Sequence, residues 1–499
     1  MGAYHRGEAR AVFGVARTQF QAIEDFLQSD DAASLTHSEL EERLRTDGRE
    51  LLRQLLQGHL ELRALREERQ RVIVGSDGVV RTHVEPSGRG LMTVFGPVRV
   101  PRLAYRGRGM SVLHPLDAAL NLPEEKHSHG VRRLAAEDAS ELSYENALAS
   151  VRRLAGDEVL AKRQEEELVS RAAQDFDAFY EQAVPVEPMH RTDLLVLSCD
   201  GKGIVMRREE LRKPTREAAE QAQHKLERRL SRGEKRNRKR MATVAAVYDV
   251  APFVRTPEDI LQELRPVQDA SRPRPRARNK RVWASVEKSS EEVTRELFDE
   301  AERRDPGHKR RWVVLVDGER HQIGRLRAEA KRRGVDAVFV LDLIHVLEYL
   351  WKAAWCFFEE GDAAAEGWVT EHALAILEGR SSYVAAGVRR SATRRGLRTR
   401  DRKGADDCAD YLLAKRDMLH YDVYLNDGLP IATGVVEGAC RHLINDRLDI
   451  TGARWSVHGA EAVLRLRALR SSGDFEAYWP FHLRREYQRH HASRYATAA

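Results

Sequence analysis

Cysteine is scarce in this sequence and widely scattered. Cys199, Cys356, Cys408 and Cys440 form no C-x-x-C pair, which excludes a zinc ribbon and a disulfide framework and fits a reducing compartment. Long apolar runs are missing too. No stretch reaches the ~18 residues that a membrane-spanning helix needs, and the opening MGAYHRGEARAVFG has no apolar export core. The expectation is a cytoplasmic protein that is neither exported nor embedded. Nor does the composition signal disorder: 42% hydrophobic and 32% charged residues are ordinary for a globular chain. At 499 residues it holds roughly two to four domains.

Net charge is also small, at +6, so affinity for a polyanion has to be argued from where the charge lies. Arg207 to Arg240 holds fourteen Lys or Arg against six Asp or Glu, and SRGEKRNRKR, with Arg236, Arg238 and Lys239, is its densest part. A second run, SRPRPRARNKR, is too rich in Pro and Arg for regular structure. Each run reads either as a solvated linker or as a phosphate-backbone contact that gains entropy by releasing counterions.

Between and beyond these runs lie apolar strands that end in carboxylates. Asp193 to Met206, DLLVLSCDGKGIVM, is a strand buried on both faces with Asp200 at its far end; RWVVLVDGE repeats the pattern with Asp317. Taken singly, each is either an Asp-Gly turn residue or a ligand. A third carboxylate, Glu437, borders the buried stripe of Val436, Cys440, Leu443 and Ile444 on an amphipathic helix, where it either pairs with Arg441 at i+4 or faces a site. Together the three suit hydrolysis by two metal ions held about 3.5–4 Å apart, and hard oxygen ligands select magnesium or manganese. Asp342 also ends a strand, AVFVL, and makes D-x-x-H with His345; it is a rival ligand or a helix N-cap, with His345 packed in the core. Asp249, ending TVAAVYD, is a weaker rival.

In chain order, 1–70 is a helical region that packs or pairs with another protomer. Region 71–190 carries a small arginine-studded β-ribbon, suited to DNA or simply a solvated face. Three short helices come next, with Ser143 and Asp157 as N-caps and Gly156 ending the middle one; they resemble a helix-turn-helix that would present Lys162, Arg163 and Gln164 to a groove. Strand and helix then alternate over 191–345, which makes the class α/β with a parallel or mixed sheet. An all-helical insertion spans 346–430, the Glu437 helix lies in 431–475, and 476–499 is a basic tail expected to fray.

The segments LSCDGKGIVM, VVLVDGERHQIGRL, VFVLDLIHVLEYLWKAAW and GVVEGACRHLINDRLDITGARWSVHGAEAVLRLRALRSSGDFEAYW resemble the ISKra-type bacterial insertion-sequence transposases, members of the DDE group with an RNase H-like core. The likeness covers roughly residues 70 to 490. It implies an RNase H-like mixed sheet flanked by helices, with Asp200 on the first core strand, Asp317 just after the fourth, and Glu437 on a helix behind the insertion. It further implies a catalytic and metal-binding set of Asp200, Asp317 and Glu437 holding two Mg2+ or Mn2+ ions, with Asp200 and Glu437 sharing one. The implied activity is cleavage at the element's terminal inverted repeats and joining to target DNA, by at least a dimer, at the bacterial nucleoid. Arg441, Arg447, Arg454 and Trp455 would contact DNA near the cut, Trp455 as a stacking platform or else a core tryptophan, and Lys202 would lie beside the backbone. One departure is Ile444, where some DDE families place Lys or Arg seven residues after the Glu. The alternatives are an RNase H-like nuclease or resolvase that cuts without joining, and a DNA-binding protein without catalysis.

Overall fold

A computed structural model describes residues 11–156, 159–184, 187–222, 225–226, 230–231, 234, 236–263, 273–450 and 452–495. The chain divides into two compact units, Met1–Gln182 with Asp474–Ala499, and Ala183–Gly473. Among the described residues, no helix is long and apolar enough to cross a membrane, and all four cysteines are free.

In the first unit, α1 (Gly14–Leu27) and α2 (His37–Leu65) are helices, the second opened by a capping box between Thr36 and Glu39. Two short strands, β1 (Ile73–Val74) and β2 (Val80–Arg81), precede the ribbon β3 (His83–Thr93) and β4 (Gly96–Arg106), which pair antiparallel. Alternation buries Val98 and Val100 of β4 with Leu91 and Leu60, so one ribbon face lies on α2. The ribbon's arginines largely serve the fold. Arg102 pairs with Asp117, Arg106 with Glu85 at 2.5 Å, and Arg89 donates to the Pro123 carbonyl at 2.8 Å.

Beyond the ribbon, the three helices α3 (His129–Glu141), α4 (Tyr144–Ala155) and α5 (Lys162–Ala173) pack around Val131, Ala135, Val151 and Leu168. Ser143 caps α4 by accepting from the Asn146 N–H at 3.2 Å, and Gly156, at φ 104°, ends it. The other expected cap, Asp157, lies outside the described residues, as do parts of the two basic runs. The expectation of a frayed tail is corrected: Phe475–His490 is a helix of this unit that buries Tyr478, Phe481 and His482, and its Glu486 pairs with the buried Arg132 at 2.6 Å. Aromatics at helical spacing outweigh the basic residues there.

The second unit is mixed α/β. Its sheet is built from β5 (Leu194–Val205), β6 (Lys239–Val250), β7 (Arg278–Ser285), β8 (Trp312–Val316) and β9 (Ala337–Leu341), in the order β7-β6-β5-β8-β9. β5, β6 and β7 pair antiparallel, whereas β5, β8 and β9 run parallel. Helices α6 (Ser290–Arg304) and α7 (Arg320–Arg333) connect the parallel strands, whose run of Trp312 to Val316 is wholly buried, as a sheet covered on both faces requires. β5 continues past Asp200 to Val205 because β6 pairs with it along its whole length. β7 begins at Arg278, so the Pro-Arg run gives way to strand sooner than its composition indicates.

Residues 346–430 are helical as expected: α8 (Leu343–Ala354), α9 (Ala363–Leu377), α10 (Ser381–Arg394), α11 (Lys403–Ala414) and α12 (Tyr421–Asn426). The expected single helix over 434–447 is instead α13 (Gly434–Cys440) widening into a π turn over Arg441–Asn445, closed by the Asp446 N–H on the Arg441 carbonyl at 3.0 Å. α14 (Val457–Ser472) completes the unit.

At the edge of the sheet where β5 begins, one guanidinium ties three strands. Arg310, just before β8, donates to the Asp193 and Leu194 carbonyls, both at 3.1 Å, and to the buried Asp249 of β6 at 2.6 Å. Asn279 of β7 donates to the same carboxylate at 2.7 Å. Asp249 is therefore a structural anion, remote from Asp200 along β5, and its rival role as a metal ligand is corrected. Replacing Arg310 by Ala strands a buried carboxylate and should cost about 3–5 kcal/mol, read as a lowered urea midpoint; Arg310→Met with Asp249→Leu should recover most of that loss.

Candidate functional site

Register decides where the carboxylates meet. In the parallel pair β5 and β8, Leu195 lies opposite Trp312 and Ser198 opposite Leu315. Asp200 and Asp317 each lie two residues beyond that last couple, so they come level and on one face. β9 extends the row: Leu341 lies opposite Val316, and the next residues are Asp342 and Asp317. Three neighbouring parallel strands thus bring an aspartate each to one row, Asp317 and Asp342 just past the carboxyl ends of β8 and β9 and Asp200 midway along β5.

Glu437 comes from α13, which packs on β5 and β6. Its Oε1 accepts from Thr433 Oγ1 at 2.9 Å, and the Thr433 N–H donates to Asp342 Oδ1 at 3.0 Å. Arg441 does not pair with it; that guanidinium turns to Asp446, at 3.7 Å. The Cys440 thiol, one turn on from Glu437, donates to Asp200 Oδ2 at 3.2 Å. Burial, then the negative charge of Asp200 and of Glu437, holds this thiol protonated far above its ordinary range. Burial likewise raises the Asp317 carboxyl, and the charge of Asp200 raises it further. Among the described residues no Lys or Arg forms an ion pair with Asp200, Asp317 or Glu437. The charge of Asp200 acts on Asp317 and on Cys440, and that of Glu437 on Cys440, so the three predicted carboxylates lie near one another without a Lys or Arg ion pair.

Asp342 is fully buried and caps α8, accepting from the His345 N–H at 3.3 Å and from His345 Nδ1 at 2.6 Å. The N-cap reading holds, but the expectation that His345 packs in the core is corrected: its ring is about one-third exposed. The hydrogen bond to Asp342, with the charges of Asp342 and Asp317, lifts its pKa to about 9, so the ring is cationic at neutral pH. D-x-x-H is the signal for this in the sequence, since a cap at i meets the ring at i+3.

The insertion holds the Asp317 turn in place. Tyr411 of α11 donates to the Asp317 carbonyl at 2.9 Å and stacks on Tyr349 of α8, centroids 3.9 Å apart. Gly318 has φ 102°, and a Cβ there would meet Tyr411 Oη at 2.5 Å, so only glycine fits beneath the ring.

Two groups of described residues have the spacing to hold a metal ion: Asp175, His482 and Glu486 in the first unit, and Asp342, His345 and Glu437 in the second. In the first, guanidinium groups already neutralise the carboxylates, Arg132 on Glu486 and Arg489 on Asp175. The second contains Glu437 of the predicted set but neither Asp200 nor Asp317, and its carboxylate oxygens suit a hard divalent ion.

Of the expected DNA contacts, Lys162 and Arg163 are exposed at the start of α5, and Arg163 pairs with Glu167 at 3.3 Å. Gln164 is spent capping Ala161, at 3.0 Å. Lys202, half-buried, shares the face of Asp200 two residues back. Arg236, Arg238, Arg441 and Arg454 are exposed or half-buried, and Lys239 pairs with Asp449 at 2.7 Å. Arg447 and Trp455 are corrected. Both are buried, the guanidinium 4.8 Å above the indole, whose Nε1 donates to the Leu448 carbonyl, so neither faces a nucleic acid. Arg447 continues the stripe of Val436, Cys440 and Leu443, a signal present in the spacing.

In metal-free protein, NMR of the histidine rings should find one titrating near 9, and Asp342→Asn should return it toward the ordinary histidine value. Gly318→Ala should cost roughly 1–3 kcal/mol from backbone strain and the Tyr411 clash, measured by thermal unfolding. A comparison with known protein families and with curated proteins finds no match to this chain.

Proposed function

We propose that the chain is a metal-dependent DNA transposase of the DDE kind, with an RNase H-like catalytic core. The observation that supports this reading is the nearness of Asp200, Asp317 and Glu437, none of which forms an ion pair with a Lys or Arg among the described residues. Topology supports it as well. Asp200 lies on the first strand of the five, Asp317 one residue after the fourth, and Glu437 on the helix that comes after the helical stretch.

The residues fit a pair of magnesium or manganese ions. Asp200, Asp317 and Glu437 offer hard oxygen donors, and the sulfur that bonds to one of them, Cys440, is held protonated and donates to Asp200. When bound, such ions activate the attacking water or 3′-hydroxyl and stabilise the leaving oxygen. The chain's own groups do the positioning: Thr433 orients the Glu437 carboxylate, Tyr411 fixes the Asp317 turn, and Asp342 holds the His345 imidazolium beside Asp317. Lys202, Arg441 and Arg454 would meet the phosphate backbone near the cut. Acting on two element ends and a target calls for at least a dimer.

Purified protein, a labelled element-end duplex and Mg2+ should give strand-transfer products. Nicks without joining would favour a nuclease or resolvase, and a gel shift without cutting a binding protein. Asp317→Asn should abolish cutting and leave DNA binding intact; normal cutting by that variant would sink the site assignment. Mn2+ should also raise the Tm of the wild-type chain and not that of Asp317→Asn.

A further inference from the structure

A second basic site lies in the first unit, outside the carboxylate cluster. A cavity of about 810 Å3 is lined by Arg45 and Arg49 of α2, by Arg152 and Arg153 of α4, and by Lys162 of α5. Among the described residues Glu145 is the one acidic member of its wall, and these lining residues carry five positive charges against one.

Part of this charge is accounted for by the fold. Arg45 pairs with Glu42 at 2.6 Å and donates to the Arg153 carbonyl at 2.7 Å, linking α2 to α4. Arg152 donates to the Leu160 carbonyl at 3.0 Å. The other three cations have no such explanation. No carboxylate among the described residues forms an ion pair with Arg49, Arg153 or Lys162. The last turn of α4 favours a cation at Arg153, but Lys162 opens α5, where the helix dipole disfavours one. A cation at a helix N-terminus that shares a cavity wall with two unpaired guanidinium groups is a cost to the free protein that an anion removes.

The chemistry of that anion is set by the wall. Its apolar members are small or aliphatic, Leu148 and Ala149, with no aromatic ring on which a base would stack. Phosphates are met and bases are not. We propose that this groove binds the phosphodiester backbone of duplex DNA without reading its sequence, as a holding site separate from the carboxylate cluster. The proposal rests on the reading that the chain acts on DNA, but it does not need catalysis.

The test uses the full chain in EDTA, with fluorescence anisotropy of a labelled random-sequence duplex over a range of salt. Arg153 and Lys162 are exposed, so Arg153→Gln with Lys162→Gln leaves the fold intact, checked by circular dichroism. Each lost phosphate contact lowers the slope of log K against log salt by about 0.9, so the double variant should lose about 2 in slope and roughly 10- to 30-fold in affinity near 0.15 M salt. Arg153→Lys should retain the slope. An unchanged slope and affinity in the double variant would overturn the proposal, as would displacement of the duplex by millimolar inorganic phosphate at constant ionic strength, which would assign the groove to a small phosphate. Cutting and joining in the separate Mg2+ assay with an unchanged slope here would remove the groove alone; a lowered slope here with no cutting in the Mg2+ assay would leave the groove standing and remove the transposase reading.

Discussion

The parallel pairing of β5 with β8, and of β8 with β9, is the constraint on which the second unit depends. Parallel strands cannot be joined by a tight turn: β8 reaches β9 through α7, while β5 reaches β8 through β6, β7 and α6, so β5, β8 and β9 all run toward the same edge of the sheet. With Leu195 opposite Trp312 and Trp312 opposite Ala337, Asp200, Asp317 and Asp342 fall in one row. A slip of one residue in any strand would send its aspartate to the other face. The buried valines and leucines that fix this register therefore also fix the carboxylates. Packing and chemistry are set by the same residues.

Such a row is unfavourable on its own. Asp342 is relieved by the Thr433 N–H and by His345, and that relief leaves the site with one imidazolium beside Asp317. Asp200 receives only a thiol and its neighbouring Gly201 N–H, the latter at 2.6 Å. The helical stretch also supplies Tyr411, whose hydroxyl donates to the Asp317 backbone carbonyl and leaves its carboxylate free of that bond. The surroundings thus orient the carboxylates more than they neutralise them.

How much of this is legible in the sequence depends on which force sets each residue. Asp200 and Asp317 can be read because apolar runs of five or so residues announce buried strands, and the residue just past such a run lies at a sheet edge. Glu437 can be read from its place beside a helical stripe. The equivalence of Asp342 with these two cannot, because register between strands distant in sequence is decided by tertiary pairing. His345 resembles a core residue because its helix is aromatic, yet its ring turns to the cap it bonds to. Arg447 and Trp455 suggest nucleic-acid contacts by residue type, and the structure uses them as a buried cation–π pair. The C-terminal basic residues mislead in the same way, since the aromatics between them form the buried face of a helix. The site is thus more legible than its surroundings: charge on an apolar strand is rare, whereas arginine on a helix has many uses.

The raised Asp317 carboxyl carries a consequence for stability. A carboxyl whose folded-state pKa lies above its unfolded value binds its proton more tightly in the folded chain. Its ionisation is therefore a cost to folding, absent while pH lies below the unfolded value and fully present once pH has risen through the folded one. This is the reverse of an ion-paired carboxylate such as Glu300, which arginines 281, 303 and 304 surround and whose pKa is lowered despite burial. Both carboxylates belong to the same unit, and both lie next to strands of the same sheet. The difference is that guanidinium groups satisfy one and a second carboxylate opposes the other. A fold selected for stability alone would have placed an arginine beside Asp317, as it did beside Glu300 and Asp249. On the proposed reading, the open charge suits a cation from solution, whose binding would return the stability given up there.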